Sequence, residues 1–360
     1  MATCDTSEAG IATLSEREDW IQEARRVLAR SPVNHFRVNA WRYWFDFGLC
    51  VVIGYSAGHL FLTSPLFSPP QLVAFPITVF WIYRLGSLVH EVCHLGEHEM
   101  RVFKVVWNLV VGVPTLTPSP FYTRHHRDHH SQRMYGTPQD PEYVVRIFRP
   151  GHWPSILAYV LYVAIYPLLV FLRFLLVPLT YIHPRIREWT LKHASSLTMN
   201  LRYERKLTKA DRWAIAAIEV PCFLRAAVIP GLIIIGENHW TRMVLLYAAA
   251  LGVLFLNQMR QLADHHFDSD GSNVALPRHI LDSCNYTSRD FLTWLFFPFS
   301  IRYHGLHHLF PSLPYHNLAA AHACLLRGIS ADSPYRELDQ PGWWAVAKRT
   351  LFGKPALASD

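Results

Sequence analysis

Leu72-Val-Ala-Phe-Pro-Ile-Thr-Val-Phe-Trp-Ile-Tyr-Arg-Leu-Gly-Ser-Leu-Val89 runs directly into His90-Glu91-Val92-Cys93-His94. The first stretch carries one charge, Arg84, and comes close to the roughly 20 apolar residues that a helix needs to cross a bilayer. The second places two imidazoles one helical turn apart, on one face. A membrane helix that ends on a pair of potential metal ligands is therefore the reading from which the rest follows. Three further segments have the same apolar character: Phe45–Thr63, Trp213–Gly236 and Met243–Met259. The proline-rich link Ser64–Gln71 joins the first two segments in chain order, and Glu237–Arg242 joins the last two, so each pair reads as a hairpin.

Composition agrees. Of 360 residues, 51% are apolar, 14% aromatic and only 17% charged, which is not a soluble globular balance. The net charge of +7 does not imply nucleic acid. Its lysines and arginines flank apolar stretches instead of forming a basic run with interleaved aromatics, as a rim beside a membrane would. Six cysteines (Cys4, Cys50, Cys93, Cys222, Cys284 and Cys324) lie far apart with no C-x-x-C, which fits reduced thiols. Met1–Asp19 is polar and acidic and lacks the features of a secretory signal, so the N-terminus is expected on the cytosolic side.

Ser155–Ile182 is long enough to span, but Arg173 and several prolines interrupt it. The following connection, His183–Arg212, carries eight Lys or Arg and reads as cytosolic. Ser155–Ile182 is therefore expected to form a bent, membrane-embedded or interfacial hairpin, and Val105–Thr117 is too short to cross. The expectation is an all-α integral membrane protein with about four transmembrane helices in two hairpins and a histidine-rich helical cap on the cytosolic face. Residues 1–44 would form an N-terminal cytosolic or interfacial segment, 45–333 the membrane domain and 334–360 a C-terminal cytosolic tail.

Two more histidine boxes follow the first: His126-Arg-Asp-His129-His130 and His304-Gly-Leu-His307-His308. Each has a pair at spacing three plus an adjacent ring aimed elsewhere, a pattern able to feed two metal ions. His265, four residues after Gln261 at the end of the fourth crossing, brings the set of candidate ligands to nine. This topology carries all the clusters to one end of the bundle. An all-nitrogen set suits iron or zinc better than calcium or magnesium, and iron suits redox work. Asp128, Asp264, Asp140 and Glu142 are candidates to accept the second ring N–H of ligand histidines. Gln261, His98, His125, His266 and His316 are spare groups close enough to the boxes to be alternative ligands or supports. Which of His94 and His98, of His125 and His126, and of His265 and His266 ligate stays open. Isolated histidines, His279 among them, carry no assigned role.

These boxes resemble the three motifs of the membrane fatty acid desaturase superfamily, in that family's order and rough separation. His307-His308-Leu309-Phe310-Pro311-Ser312-Leu313-Pro314-Tyr315-His316 is similar to the end of the third motif in many acyl desaturases. The resemblance covers roughly Phe45–Leu326. Tyr135-Gly-Thr-Pro-Gln-Asp-Pro-Glu-Tyr143 adds a likeness to bacterial desaturase-like proteins of unassigned substrate. Gln261 stands where an asparagine is the more familiar residue. The resemblance implies a non-haem centre of two irons, with dioxygen as co-substrate, acting on an unactivated C–H bond of a lipid or fatty acyl chain in the membrane. Desaturation is the first expectation and hydroxylation or ketolation of a lipid or carotenoid the second. No fused haem-binding domain is recognised, so electrons are expected from a separate ferredoxin or cytochrome, and no catalytic side chain is expected beyond the metal centre.

Two other classes compete. His90-Glu91-x-x-His94 is also the string of membrane zinc proteases, with Glu91 as general base. That reading leaves the H-x-x-H-H boxes unexplained. A metal carrier would instead place its ligands near the bilayer midplane.

Overall fold

The computed structural model describes residues 14–194 and 200–353. Cys4, most of the acidic N-terminal stretch and the last seven residues of the expected tail lie outside the described residues. The described residues are mostly helical. In order it forms α1 (Leu14–Ala29), α2 (Ala40–Thr63), α3 (Pro69–His94), α4 (Arg101–Trp107), α5 (Ser119–His129), α6 (Trp153–Leu175), α7 (Val177–Thr180), α8 (Pro184–His193), α9 (Lys209–Ile234) and α10 (Thr241–Gln261). There follow α11 (Leu276–Leu281), α12 (Phe291–Phe296), α13 (His304–Leu309), α14 (Leu318–Gly328) and α15 (Trp343–Phe352). The strands β1 (Asn285–Tyr286) and β2 (Asp339–Gln340) form a two-residue parallel ladder.

Local chemistry sets the helix ends. The Asn39 side chain accepts from the Arg42 N–H to cap α2, two prolines open α3, and Thr208 with Asp211 closes a reciprocal capping box on α9. Five helices, α2, α3, α6, α9 and α10, are long and apolar enough to cross a membrane. Their outward faces carry Val52, Val73, Val220 and Ile234, the last 83% exposed. Continuous apolar surface of this kind is at home only in lipid. Inside the bundle, α10 approaches α3 closely at Gly252, where a Cβ would stand 2.7 Å from a Val79 methyl.

The fifth candidate is where the structure departs from expectation. Ser155–Ile182 is not a hairpin. It contains the continuous 23-residue α6, which absorbs Pro167, and the chain turns only beyond Leu176, through α7. A proline inside a helix removes one hydrogen bond and need not reverse the chain, and α6 runs on past Pro167 packed against α9 and α10. Val105–Thr117 does match its expected shortness: it is the end of α4 and a single π-helical turn, Asn108–Gly112.

The cap over one end of the bundle is built from α5, α11, α13, α14 and the connections between them. Its core includes Leu306, Leu309, Leu318 and Leu325, continuous with Tyr43, Leu88 and Val92 of the first hairpin. The C-terminal segment docks back on the bundle: the Trp343 indole N–H donates to the Met259 carbonyl at 2.6 Å.

Candidate metal centre

Four separate elements carry the histidines, and each presents them by its own periodicity. Helix α3 ends with His90 and His94 on one face. Helix α5 brings His126 and His130 to the same space and turns His129 to another. Helix α13 does the reverse, with His304 and His308 paired at spacing four and His307 aimed away. His265 arrives four residues beyond α10, on the loop.

The result is two groups. His90, His94, His126, His130 and His307 form one, and His129, His265, His304 and His308 form the other; within each, one nitrogen per ring lies within 4.8 Å of all the rest. These are the nine histidines singled out from the sequence. In the four-membered group Nε2 of His265 stands 3.2 Å from that of His129 and 3.1 Å from that of His304, which is 3.1 Å from that of His308. In the other, His130 Nε2 lies 3.1 Å from both His126 Nε2 and His307 Nε2.

The opposite ring nitrogens decide what these contacts mean. His129 Nδ1 donates to the Asp140 carboxylate at 2.9 Å, and His126 Nδ1 donates to Glu142 at 2.7 Å. His265 Nδ1 meets the Tyr135 hydroxyl at 2.8 Å, which itself donates to Asp282 at 2.6 Å. His308 Nδ1 lies 2.9 Å from His279 Nε2. A neutral imidazole has one proton, and these partners draw it to Nδ1. At His126, His265 and His308 this leaves Nε2 as a bare lone pair facing the other rings, whereas His130 and His304 have no partner at Nδ1 to fix their tautomer. His90 and His94 add buried Nε2 atoms that have no hydrogen-bond partner. Ring nitrogens gathered this closely, several of them without a hydrogen-bond partner, can all turn a lone pair on one cation, so both groups fit a metal ion, and the nitrogen-only donor set suits a borderline transition metal.

Electrostatics point the same way. Burial pushes the His126 pKa down to about 3 although Glu142 opposes it. At His129 burial also works downward, but the fully buried Asp140 carboxylate outweighs it and lifts the value to about 9. That carboxylate stabilises positive charge on or at the ring, whether proton or metal. Burial raises Glu142, yet the His126 and His125 rings hold it well below the usual carboxylate range.

The supporting residues divide sharply. Asp140 and Glu142 bond cluster histidines directly. Asp264 is tied to Arg260 at 2.5 Å, and Asp128 to Tyr203 and Arg124. His125 is buried beside Glu142 at 3.4 Å, outside both groups. His266 packs on the Cys284 thiol, His316 accepts the Asn39 N–H, and His98 is exposed and bonded to Arg101. Gln261 closes α10 and makes no hydrogen bond to either group among the described residues. Sequence reasoning missed Tyr135, Asp282 and above all His279, an isolated histidine that is 1% exposed and stacks on Tyr135 with ring centroids 3.6 Å apart. Its one available signal was Pro277, which starts the short helix that delivers it.

The protease reading fails on Glu91. Its Oε2 accepts from the Tyr43 hydroxyl at 2.7 Å and the Tyr315 N–H at 3.1 Å, bracing α2 and the segment after box three, while its Oε1 lies 3.5 Å from His90 Nδ1, behind the ring.

Residues 66–338 match the fatty acid desaturase domain family. The chain is 37% identical over 311 residues, 84% of its own length and 86% of the relative's, to a ceramide hydroxylase of Caulobacter vibrioides. It is 24% identical over 250 residues, 68% of its length and 65% of the relative's, to a fatty acid desaturase of Bacillus subtilis. With its three boxes gathered into two metal-ready groups inside an apolar helical protein, this chain belongs to the fatty acid desaturase family and is a membrane oxidoreductase.

Proposed function

We propose that the nine clustered histidines hold two irons and that the enzyme uses dioxygen to insert a hydroxyl group into an unactivated C–H bond of a ceramide-like membrane lipid. The convergence of nine imidazoles, seven of them buried, into a group of five and a group of four carries the reading of the centre. The ceramide hydroxylase likeness, higher in identity and coverage than the desaturase likeness, favours hydroxylation. Desaturation of an acyl chain is the second reading, favoured by the family as a whole and by the Bacillus relative. Both share one overall demand: dioxygen and two electrons per turnover, drawn from a separate ferredoxin- or cytochrome-type carrier. In hydroxylation one oxygen atom enters the C–H bond and the other leaves as water with two protons; in desaturation both oxygen atoms leave as water.

A bound pair of irons would supply the activation of dioxygen, which no side chain here can provide. The protein's own part is positional. Asp140, Glu142, Tyr135 and His279 fix ring orientation and tautomer from behind. Burial of the histidines, most of them below 5% exposed, keeps bulk water from the reacting methylene. Four crossings, α2, α3, α9 and α10, would set the centre on the cytosolic face, beside the basic connection 183–212.

The deciding experiment is mass spectrometry of lipids from cells expressing the wild-type chain or the His307→Ala variant, followed by turnover with purified protein and ceramide. A gain of one oxygen on a sphingolipid is the expected result. Loss of two hydrogens would install the desaturase reading, and identical lipids in both strains would refute the oxidation altogether.

A further inference from the structure

Arg84 is a cation on a membrane-spanning helix, and among the described residues it makes no ion pair. Its Nε is buried without a hydrogen-bond partner. What surrounds it is aromatic: the guanidinium carbon lies 4.6 Å from the centre of the Phe299 ring and 5.7 Å from those of Phe80 and Trp81. Phe80, Trp81 and Arg84 share one face of α3 by their spacing of three and four. Charges within a membrane segment are costly and are retained where they pair with something. Among the described residues no carboxylate answers this one, and its polar side-chain neighbour is the buried Cys50 thiol of α2.

The depth of the site is marked independently. Trp294 of α12 stacks on Phe80 with centroids 4.8 Å apart while remaining 55% exposed, and its neighbour Phe291 is 66% exposed. Exposed aromatic rings of this kind settle where acyl chains meet headgroups. Arg84, one turn nearer the metal end than Phe80, therefore stands at headgroup level, about 9 Å along the helix from His90. Phe299 reaches it from a segment held at positive φ, 52° at Phe299 and 59° at Ser300. Such backbone is costly for residues with side chains and persists where tertiary contacts impose it. Aromatic cover over a guanidinium face leaves bonding to its N–H edge, and the part of that edge not turned to the Cys50 thiol matches two oxygens of a phosphate.

We propose that Arg84, walled by Phe80, Trp81 and Phe299, binds the phosphate of a membrane phospholipid whose acyl chains lie along Trp294 and Phe291. The site is separate from the histidine groups and does not depend on which product the enzyme makes. Its test uses the purified full-length protein in neutral detergent, titrated with dioleoylphosphatidylglycerol and with dioleoylglycerol, which has the same chains and no phosphate, with retained lipid counted by native mass spectrometry. The wild type should prefer the phospholipid by roughly tenfold to a hundredfold, the range of one charge-assisted contact. Arg84→Gln should erase that preference, Arg84→Lys should lose part of it, and Trp294→Ala should weaken both lipids alike. An unchanged preference in Arg84→Gln, or none in the wild type, overturns the proposal. So does displacement of the phospholipid by inorganic phosphate at equal concentration, which would make the site one for the free anion. Should Arg84→Gln fail to accumulate, Arg84→Lys and Phe299→Leu decide by the same ratio.

Discussion

His129 Nε2 and His265 Nε2 stand 3.2 Å apart across 136 positions of sequence. Three long apolar helices, α6, α9 and α10, lie between them. Two groups on the same side of a bilayer must be separated by an even number of crossings, so these three cannot all cross. Both ends of α6 pack against elements of the metal side: Phe174 against Phe121 of α5, and Trp153 against Phe352 of α15, whose helix is tied to the end of α10. Helix α6, with both ends on that side, is the candidate to lie along the bundle without crossing it.

That argument predicts a labelling pattern. Single cysteines at Ser68 and Glu237 should react with an impermeant thiol reagent on intact cells, whereas one at Glu204 should react only after permeabilisation. Among the described native cysteines all but Cys324 are buried, which keeps the background low. Labelling of Glu204→Cys from outside would place the metal groups on the other face or add a crossing.

His307→Ala removes one of five rings from its group and leaves the other group whole. Metal analysis should fall from two irons per chain to one or fewer, and lipid oxidation should drop at least about a hundredfold, the upper range seen even for losses behind the ligands. His129→Ala should do the same from the other side. Retention of two irons and of turnover in both variants would remove these histidines from the ligand set.

Tyr135→Phe tests the residues behind the rings. The lost hydroxyl leaves His265 Nδ1 with Ser283 Oγ at 3.1 Å, and Asp282 with the Tyr143 hydroxyl and the Asp268 N–H. Ring tautomer is then held less firmly, so iron affinity should fall about 10- to 100-fold. Since Asp282 keeps two donors, the fold should survive, which circular dichroism would check. Full iron affinity in this variant would mean that His265 is oriented by Ser283 alone.

How much of this was legible beforehand follows from range. Eight of the nine histidines could be read because each box spaces its rings by helix periodicity, a local property visible in the residues themselves, and His265 by its place just after the fourth apolar segment. His279 could not be, because its value lies in a 2.9 Å contact with a ring 29 positions away and in a stack on Tyr135. Helix α6 was misjudged for a related reason. Pro167 and Arg173 look like interruptions locally, yet Arg173 is answered by Glu219 of α9 at 2.5 Å, a partner that sequence order does not show. The charge in the run is paired, and the helix has no reason to break.

Glu91→Gln separates oxidation from proteolysis. As the general base of a zinc protease, Glu91 would be indispensable. As a brace, a glutamine can still offer one oxygen to both the Tyr43 hydroxyl and the Tyr315 N–H, which share Oε2, with its amide nitrogen on the side of His90 Nδ1. Iron content should be unchanged and lipid turnover within about tenfold of wild type, with stability lower by about 1 kcal/mol for the weakened hydrogen bond. Loss of all activity with iron retained would return Glu91 to the chemistry.

Asp290 carries the clearest acid dependence outside the membrane. It caps α12, accepting from the Thr293 N–H at 2.9 Å, the Thr293 hydroxyl at 2.7 Å and the Ser288 hydroxyl at 2.6 Å. Burial acts to raise its pKa, but these donors favour the carboxylate more and hold the value at about 2 against an ordinary 3.8. The folded state therefore binds this proton less readily than the unfolded one. Its contribution is whole above pH 3.8 and disappears as the pH falls through 2. Asp290→Ala should cost about 1 kcal/mol, as for other lost caps, at neutral pH and little at pH 2. Helix α12 also offers the Phe296 carbonyl to the Tyr83 hydroxyl of α3 at 2.6 Å, so its fraying should be felt in the bundle. Melting curves of both proteins at pH 7 and pH 2 would show the gap between them closing. A gap that persists unchanged at pH 2 would mean that the Asp290 charge contributes nothing and that the side chain acts by packing alone.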